Sequence, residues 1–547
     1  MSKVEKIVID TKISGLGWWN VYFIIKIALY LKGVINFHPL ENFALLFFLL
    51  LPLKGKFHTI RNIIAIPLAL WLLHYDSYLP PLERLWSQIG QLIHFELSYL
   101  FELIGRFISF RSLVAFFVLC SGYYLLNKFL RVTFFVIIAL ISISIKSWMP
   151  ITNTEIANIN DMVEPQHIHS STVSQPTTLT QITEINDNVL NKIENKRFEE
   201  EASRRVVFNP QAKHDTPFDL LFLSICSVAW DDIKIAGLEN HPLFKEFDVM
   251  FDNFSSATSY SGPAVIRLLR ANCGQERHNQ LFKPAPSQQC YLFENLKNLG
   301  FNENLLMNHN GVFDSFLELI KKEGDLQTHL ISQKGFTPYQ KAFDGSYIYR
   351  DKQVLDKWWQ QRINNDSNKV VALYNTISLH DGNRIIGSDP ATSLDSYRQR
   401  LQNLLDDLYA FFKTLQTSKR NIVVALVPEH GADMRGDKMQ ISGMREIPAA
   451  TIIHTPVALK IFGNGLKRIG KPAHVKGPSS YLSLSQLVSN ILNENVYQSK
   501  QYDPTKLIQN LPTTPIMAQN SGSTVMKVNG KYYVSLDDST WSEYPSN

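Results

Sequence analysis

Cysteine is scarce, with four in 547 residues, which excludes a disulfide-dense miniprotein. Proline (25) and glycine (26) are too few for a collagen-like chain, and 45% hydrophobic content is too much for a disordered one. No internal repeat is evident. Charged residues are sparse at 19%, and the net charge of +5 is unevenly placed. The first 150 residues carry 14 Lys and Arg against 7 Asp and Glu, and the remaining 397 carry 40 against 42. The basic excess thus lies wholly in an apolar region. That is a juxtamembrane pattern and excludes a nucleic-acid-binding face. A removable signal peptide fits poorly, because the first apolar run is long, lacks a small-residue cleavage site and is followed by others.

What is present in residues 1–150 is a series of apolar runs, at 17–37, 40–53, 60–75, 110–127 and 131–147. Several uncharged cores are shorter than the ~20 residues of a span. With flanking Lys, Arg, Trp and Tyr at the interface, they predict a transmembrane domain of about five helices. Lys3, Lys6 and Lys12, then Lys54, Lys56 and Arg61, then Lys128 and Arg131 fall on alternate sides. This puts the N-terminus in the cytoplasm and everything past 150 outside. The connection between the third and fourth runs holds Leu82, Leu85, Trp86, Ile89, Leu92, Ile93 and Leu100 with Arg84, Arg106 and Arg111. It reads as an amphipathic helix, either along the outer membrane surface or packed on the spans. Asn20 and Lys26, inside the first run, are candidate contacts to other membrane subunits.

Residues 151–205 form a polar linker rich in Ser, Thr, Asn and Gln, whose end (185–205) has the makings of a charged helix. His167 and His169 there read as solvated residues. From 206 to 547, strand-like runs (219–226, 248–254, 369–377, 421–429, 456–462) alternate with helix-like ones (263–272, 313–322, 352–364, 394–416, 482–493). This alternation predicts an α/β fold with a mostly parallel sheet flanked by helices. Chemistry in such folds gathers at the carboxyl ends of strands. Asn529-Gly530 between alternating apolar residues predicts a hairpin in the tail.

Polar residues fall just past those strand ends. Cys226 closes SICSVAWDD; Ser261 lies in NFSSATSYSGPAVIRLLR, where Pro263 marks the first turn of a helix; His380 lies in NTISLHDGNR; Glu429 and His430 lie in PEHGADMRG. Singly, each has a bland reading: a buried small hydrophobe, a helix cap, a structural imidazole. Together, Cys226, Glu429 and His430 supply three ligands to a zinc ion, with the Ser261 oxygen in the fourth position. That position makes a serine a better nucleophile, and a helix N-terminus stabilises anions. An all-oxygen set would suit magnesium; a thiolate favours zinc. Outside the cytoplasm, Cys273 and Cys290, 17 apart, would oxidise to a disulfide, with a second metal site as the alternative. Cys120 falls in an expected span.

On the segments SICSVAWDD, SATSYSGPAVIRLLRANCGQ, NTISLHDGNR and PEHGADMRGDKMQISGMREIP, the sequence resembles the cellulose phosphoethanolamine transferases, the G-subunit family of bacterial cellulose synthase machinery. The resemblance covers nearly the whole chain. It implies an alkaline-phosphatase-like periplasmic domain on an inner-membrane anchor, and partnership with other cellulose synthase subunits. It also implies zinc-dependent transfer of phosphoethanolamine from phosphatidylethanolamine to cellulose through a phospho-serine. By resemblance, Ser261 is nucleophile and metal contact, and Cys226, Glu429 and His430 are metal ligands. His380 is a general acid/base, Tyr260 and Arg445 contact substrate, and Cys273–Cys290 is a disulfide. His454 receives no role. The competing readings are transfer to lipid A or another envelope glycan, a sulfatase or phosphatase, and a membrane scaffold without chemistry.

Overall fold

The computed structural model describes residues 15–78, 94–107, 110–148, 185–209, 216–283, 285–364, 369–388, 390, 392–537 and 539–545. The chain divides into two units. One holds the N-terminal helices with residues up to 79 and from 110, and the other holds residues 80–109 and everything from 187 onward. His167, His169 and the stretch from Leu82 to Ile93 lie outside the described residues.

All five apolar runs are helical. They form α1 (Trp19–Leu31), α2 (Pro39–Leu50), α3 (Lys56–Asp76), α5 (Phe110–Leu126) and α6 (Val132–Trp148), while α4 (Leu97–Phe107) lies between the third and fourth. The expected count of about five spans is not supported. Among the described residues only α3 is long and apolar enough to cross a bilayer, or up to two spans are present if α4 and α5 make one broken span. The reason is arithmetic: at about 1.5 Å per residue, helices of 12 or 13 residues reach about 20 Å, short of a ~30 Å hydrocarbon core. Asn20 and Lys26 do not face outward as expected. Asn20 donates to the Gly17 carbonyl (3.0 Å) and Thr133 Oγ1 (3.1 Å), and Lys26 pairs with buried Asp76 at 2.8 Å. A buried ammonium needs such a partner, so these groups tie their own unit together.

The second unit is built on a seven-stranded sheet. Its strands are β1 (Asp219–Cys226), β2 (Val249–Phe251), β3 (Phe301–Met307), β4 (Lys369–Thr376), β5 (Ile422–His430), β6 (Ala458–Phe462) and β7 (Ala473–Val475), in the order β7-β2-β6-β5-β1-β4-β3. The pairs β1–β4, β1–β5, β3–β4 and β7–β2 are parallel, and β6 runs antiparallel to both neighbours. The sheet is therefore mixed.

Every residue of β1 is buried, because the sheet is covered on both faces. Leu220 and Phe222 join one core with Val371, Leu373, Val423 and Ala425. Leu221, Leu223 and Ile225 join the other with Val370, Ala372 and Val424. Such a strand reads as a continuous apolar run. Helix α8 (Ser261–Leu269) covers the first face, and α9 (Asp351–Ile363) with α10 (Tyr397–Thr417) covers the second.

The charged segment at the end of the polar stretch is helix α7 (Asp187–Ser203) and belongs to this unit. It is held by the Glu194–Arg277 pair (3.1 Å) and by the Arg197 bond to the Lys527 carbonyl (2.9 Å). The tail hairpin pairs Ser523–Val528 with Lys531–Ser535 across Asn529 and Gly530, both at positive φ, the backbone that a two-residue turn demands.

Candidate active site

Two adjacent strands deliver side chains to one edge of the sheet. Cys226 ends β1, and Glu429 and His430 end the adjacent β5, with Cys226 in register with His430. Their ligand-capable atoms all lie within 4.8 Å of one another, and all three residues are buried. Ser261 is the first residue of α8, after Tyr260 as its N-cap. Its Oγ stands 3.2 Å from His430 Nε2, and Cys226 Sγ stands 3.8 Å from the same nitrogen.

The protonation of His430 can be read from its other nitrogen. Nδ1 lies 2.9 Å from the Gly431 carbonyl, and a carbonyl only accepts. This contact is shorter than the 3.3 Å between Nδ1 and Arg445 Nη1, so Nδ1 is assigned the proton, the arginine contact is not a hydrogen bond, and the Nε2 lone pair faces Cys226 and Ser261. A metal-binding imidazole is commonly arranged in this way.

Glu429 is aimed by two groups that motif reasoning missed. Ser224 Oγ donates to its Oε1 at 2.8 Å and Asn375 Nδ2 donates to the same oxygen at 2.5 Å. Behind them stands His309. The Gly311 N–H donates to His309 Nδ1 (3.2 Å), so Nε2 carries the proton and donates to Asn375 Oδ1 (2.9 Å). That fixes which end of the amide faces Glu429. The other carboxylate oxygen, Oε2, is buried and has no hydrogen-bond partner among the described residues. A faint sequence signal for these residues exists: Ser224 and Asn375 are polar members of apolar strands, in direct register and on the Glu429 face.

Burial disfavours every charge in this cluster. It pushes the Cys226 thiol up to about 12, with Glu429 adding to the effect. It raises the Glu429 carboxyl and holds His430 well below the usual imidazole range. A sulfur, a carboxylate oxygen without a hydrogen bond of ordinary length and an imidazole lone pair lie within 4.8 Å of one another, and the Ser261 hydroxyl is near enough to favour the Glu429 carboxylate. This donor set fits a zinc ion, with Cys226, Glu429 and His430 as ligands and Ser261 Oγ adjoining.

Of the remaining expected residues, Arg445 and His380 lie close enough to His430 to act on its charge. His380 follows β4 and donates from Nδ1 to the Asp381 carbonyl (2.7 Å), leaving Nε2 as an acceptor. Its ring stacks on Phe343 at 4.6 Å. Burial, and then Arg445, lowers it to about 4. Arg445 Nη1 lies 3.3 Å from His430 Nδ1 and 3.5 Å from Ser227 Oγ. Its carbonyl accepts from Ser259 Oγ (2.5 Å) and Asn520 Nδ2 (3.2 Å), which holds the loop before α8 against this segment. The Tyr260 hydroxyl donates to Glu446 (2.6 Å). Cys273 and Cys290 form a disulfide. His454 lies elsewhere, bonded to the Asp252 carbonyl.

The chain matches two family models, the cellulose biosynthesis protein BcsG N-terminal domain over residues 19–145 and the BcsG C-terminal domain over residues 174–541. It is 38% identical to the cellulose biosynthesis protein BcsG of Escherichia coli K12, across 97% of this chain and 96% of the relative. Among solved structures, a Vibrio parahaemolyticus protein of the alkaline phosphatase superfamily aligns over 66% of this chain and 91% of its own, at 13% identity and TM-score 0.45. The C-terminal periplasmic domain of Escherichia coli EptC aligns over 62% and 96%, at 13% identity and TM-score 0.40. The full-length sequence match, covering both the helical N-terminal section and the unit that carries the Cys226–Glu429–His430 cluster, shows that this chain belongs to the BcsG family of cellulose biosynthesis proteins.

Proposed function

We propose that the protein transfers phosphoethanolamine from phosphatidylethanolamine to glucose 6-hydroxyls of cellulose, through a phosphoester on Ser261. The observation that carries this reading is Ser261 Oγ, 3.2 Å from His430 Nε2, at a helix N-terminus beside the Cys226–Glu429–His430 cluster. Membership of a cellulose biosynthesis family supports the acceptor. The donor and the phosphoryl chemistry rest on the motif resemblance.

Cys226, Glu429 and His430 would hold the zinc ion. When bound, it supplies Lewis-acid stabilisation of negative charge on oxygen. In the first half-reaction, Ser261 Oγ bonds to phosphorus as the bond from phosphorus to the diacylglycerol oxygen breaks. The serine proton passes to the departing diacylglycerol. Backbone N–H groups at the start of α8 face the negative charge that builds on the phosphoryl oxygens. In the second half-reaction, a glucose 6-hydroxyl oxygen bonds to phosphorus and the Ser261–phosphorus bond breaks. His380, neutral at pH 7 and with Nε2 free, accepts the hydroxyl proton and returns it to Ser261. Arg445 and Tyr260 contact the substrate at this edge of the sheet.

A lipid donor needs an enzyme held at the bilayer. The apolar helices with their basic flanks support an inner-membrane anchor with a cytoplasmic N-terminus, and the disulfide supports a periplasmic catalytic unit. Within the cellulose machinery, other synthase subunits are its partners.

The test is Ser261→Ala in cells making cellulose. Phosphorus NMR of the polymer should show the modification lost, with the protein still in the membrane. Retained phosphoethanolamine would remove Ser261 from the mechanism, and its appearance on lipid A instead of cellulose in the wild type would redirect the acceptor.

A further inference from the structure

Helix α4 comes from the N-terminal part of the sequence but is built into the catalytic unit. Its two faces are unlike. One side carries Tyr99, Glu102 and Arg106. Tyr99 donates to Asp381 Oδ2 (3.0 Å), and Arg106 grips both Asp381 oxygens at 2.6 and 2.9 Å. Glu102 accepts from Arg106 (2.6 Å) and from Arg384 (2.7 Å). Phe95, just before the helix, packs edge-on against Phe343 at 5.3 Å, and Phe343 stacks on His380. These ion pairs are largely buried, and buried bidentate pairs fix geometry. The polar face is therefore bolted to the loop that carries His380.

The other face is apolar and open. Leu97, Phe101 and Ile104 are 73%, 72% and 55% exposed, and their spacing of four and three places them in one stripe. An amphipathic helix normally buries its apolar stripe in the core. Here the polar face meets the protein. Only two residues separate α4 from α5 in the sequence. Helix α5 is apolar along its length, with Phe110, Phe117 and Val118 at 66% exposure or more. That continuity of sequence with an apolar helix commits the open stripe of α4 to lipid.

We infer that α4 is an interfacial anchor, with Leu97, Phe101 and Ile104 set into the lipid headgroup region and the opposite face clamping the His380 loop, so that the catalytic cleft is held where a phospholipid headgroup is presented. This inference deepens the proposed transfer and rests on it for the donor. Anchors of this kind bind in proportion to the apolar area that they bury in the interface.

The test uses full-length protein in vesicles of phosphatidylethanolamine and phosphatidylglycerol, with Phe101→Glu and Ile104→Glu. Transfer from vesicle phosphatidylethanolamine should fall by about tenfold or more. Transfer from a short-chain, water-soluble phosphatidylethanolamine should stay within about twofold, because the clamp is intact. Unchanged vesicle transfer, or equal loss with both donors, would overturn the anchor. An independent readout is a spin label at Ile104→Cys in a Cys120→Ala background. Relaxation by oxygen should exceed relaxation by a water-soluble nickel chelate. The reverse order would overturn the proposal and leave the stripe to a protein partner. Absence of transfer by the wild type from either donor would count against the transfer reading, while the spin label would still decide the anchor.

Discussion

Glu429 can hold a metal ion only if its free oxygen points at Cys226 and His430, and two buried donors decide whether it does. Ser224→Ala removes one of the two hydrogen bonds to Oε1, and Asn375→Ala removes the other together with the acceptor of His309 Nε2–H. All these groups are buried, so water does not readily replace the lost donors. A hydrogen bond to a charged group contributes about 1.5–3 kcal/mol, and a tenfold change in affinity is about 1.4 kcal/mol. Part of that loss is recovered when the carboxylate turns, which brings the expectation to the 10–100-fold range seen for groups that support metal ligands. Ser224→Ala should therefore weaken zinc affinity by about tenfold, and Asn375→Ala by up to about a hundredfold. The assay is zinc competition against a chromophoric chelator, with thermal unfolding of the metal-free proteins as the folding control. Zinc affinity within twofold of wild type for a folded Asn375→Ala protein would refute the reasoning about Glu429.

Other consequences follow from particular groups. Replacing both Cys273 and Cys290 by Ala should lower stability by about 3 kcal/mol, because their bond closes a 17-residue separation. Denaturant titration under non-reducing conditions would measure it, and an unchanged midpoint would contradict it. Burial, with Asp437, Asp232 and Asp231 nearby, pushes Asp433 up to about 8, above its unfolded value of about 3.9. A carboxyl raised on folding adds stability that is full below the unfolded value and is lost as pH rises toward 8. Asp433→Asn should therefore gain melting temperature relative to wild type as pH rises from about 4 to about 8, read by calorimetry; a constant difference across that range would contradict it.

Much of the catalytic unit was legible because its sheet is covered on both faces. Strands such as DLLFLSIC and IVVALVPEH appear as unbroken apolar runs, and the residues after them fall at one edge. Two strands of this sheet escaped. Phe301–Met307 is an edge strand whose first half is partly exposed and polar, and Ala473–Val475 is only three residues long. Strand direction is not written in composition, so the antiparallel course of β6 could not be read. The grouping of Cys226, Glu429, His430 and Ser261 follows from strand-end position, whereas Ser224, Asn375 and His309 sit within or behind strands and match no motif. The apolar N-terminal runs marked helices, but only one or two of these have spanning length among the described residues, against about five expected. The amphipathic reading of the third-to-fourth connection rested mainly on Leu82 to Ile93, outside the described residues, and the partner of Arg106, Asp381, lies 275 residues away, a separation no local pattern encodes.

The central claim is that the Ser261 hydroxyl, beside a metal held by Cys226, Glu429 and His430, takes the phosphoryl group from the lipid. The most direct measurement incubates purified zinc-loaded protein with phosphatidylethanolamine, without cellulose, and maps phosphorylated peptides by mass spectrometry. The account predicts phosphoethanolamine on Ser261, abolished by chelation and by Cys226→Ser; a lipid-derived adduct on another residue, or on Ser261 after complete metal removal, would contradict it.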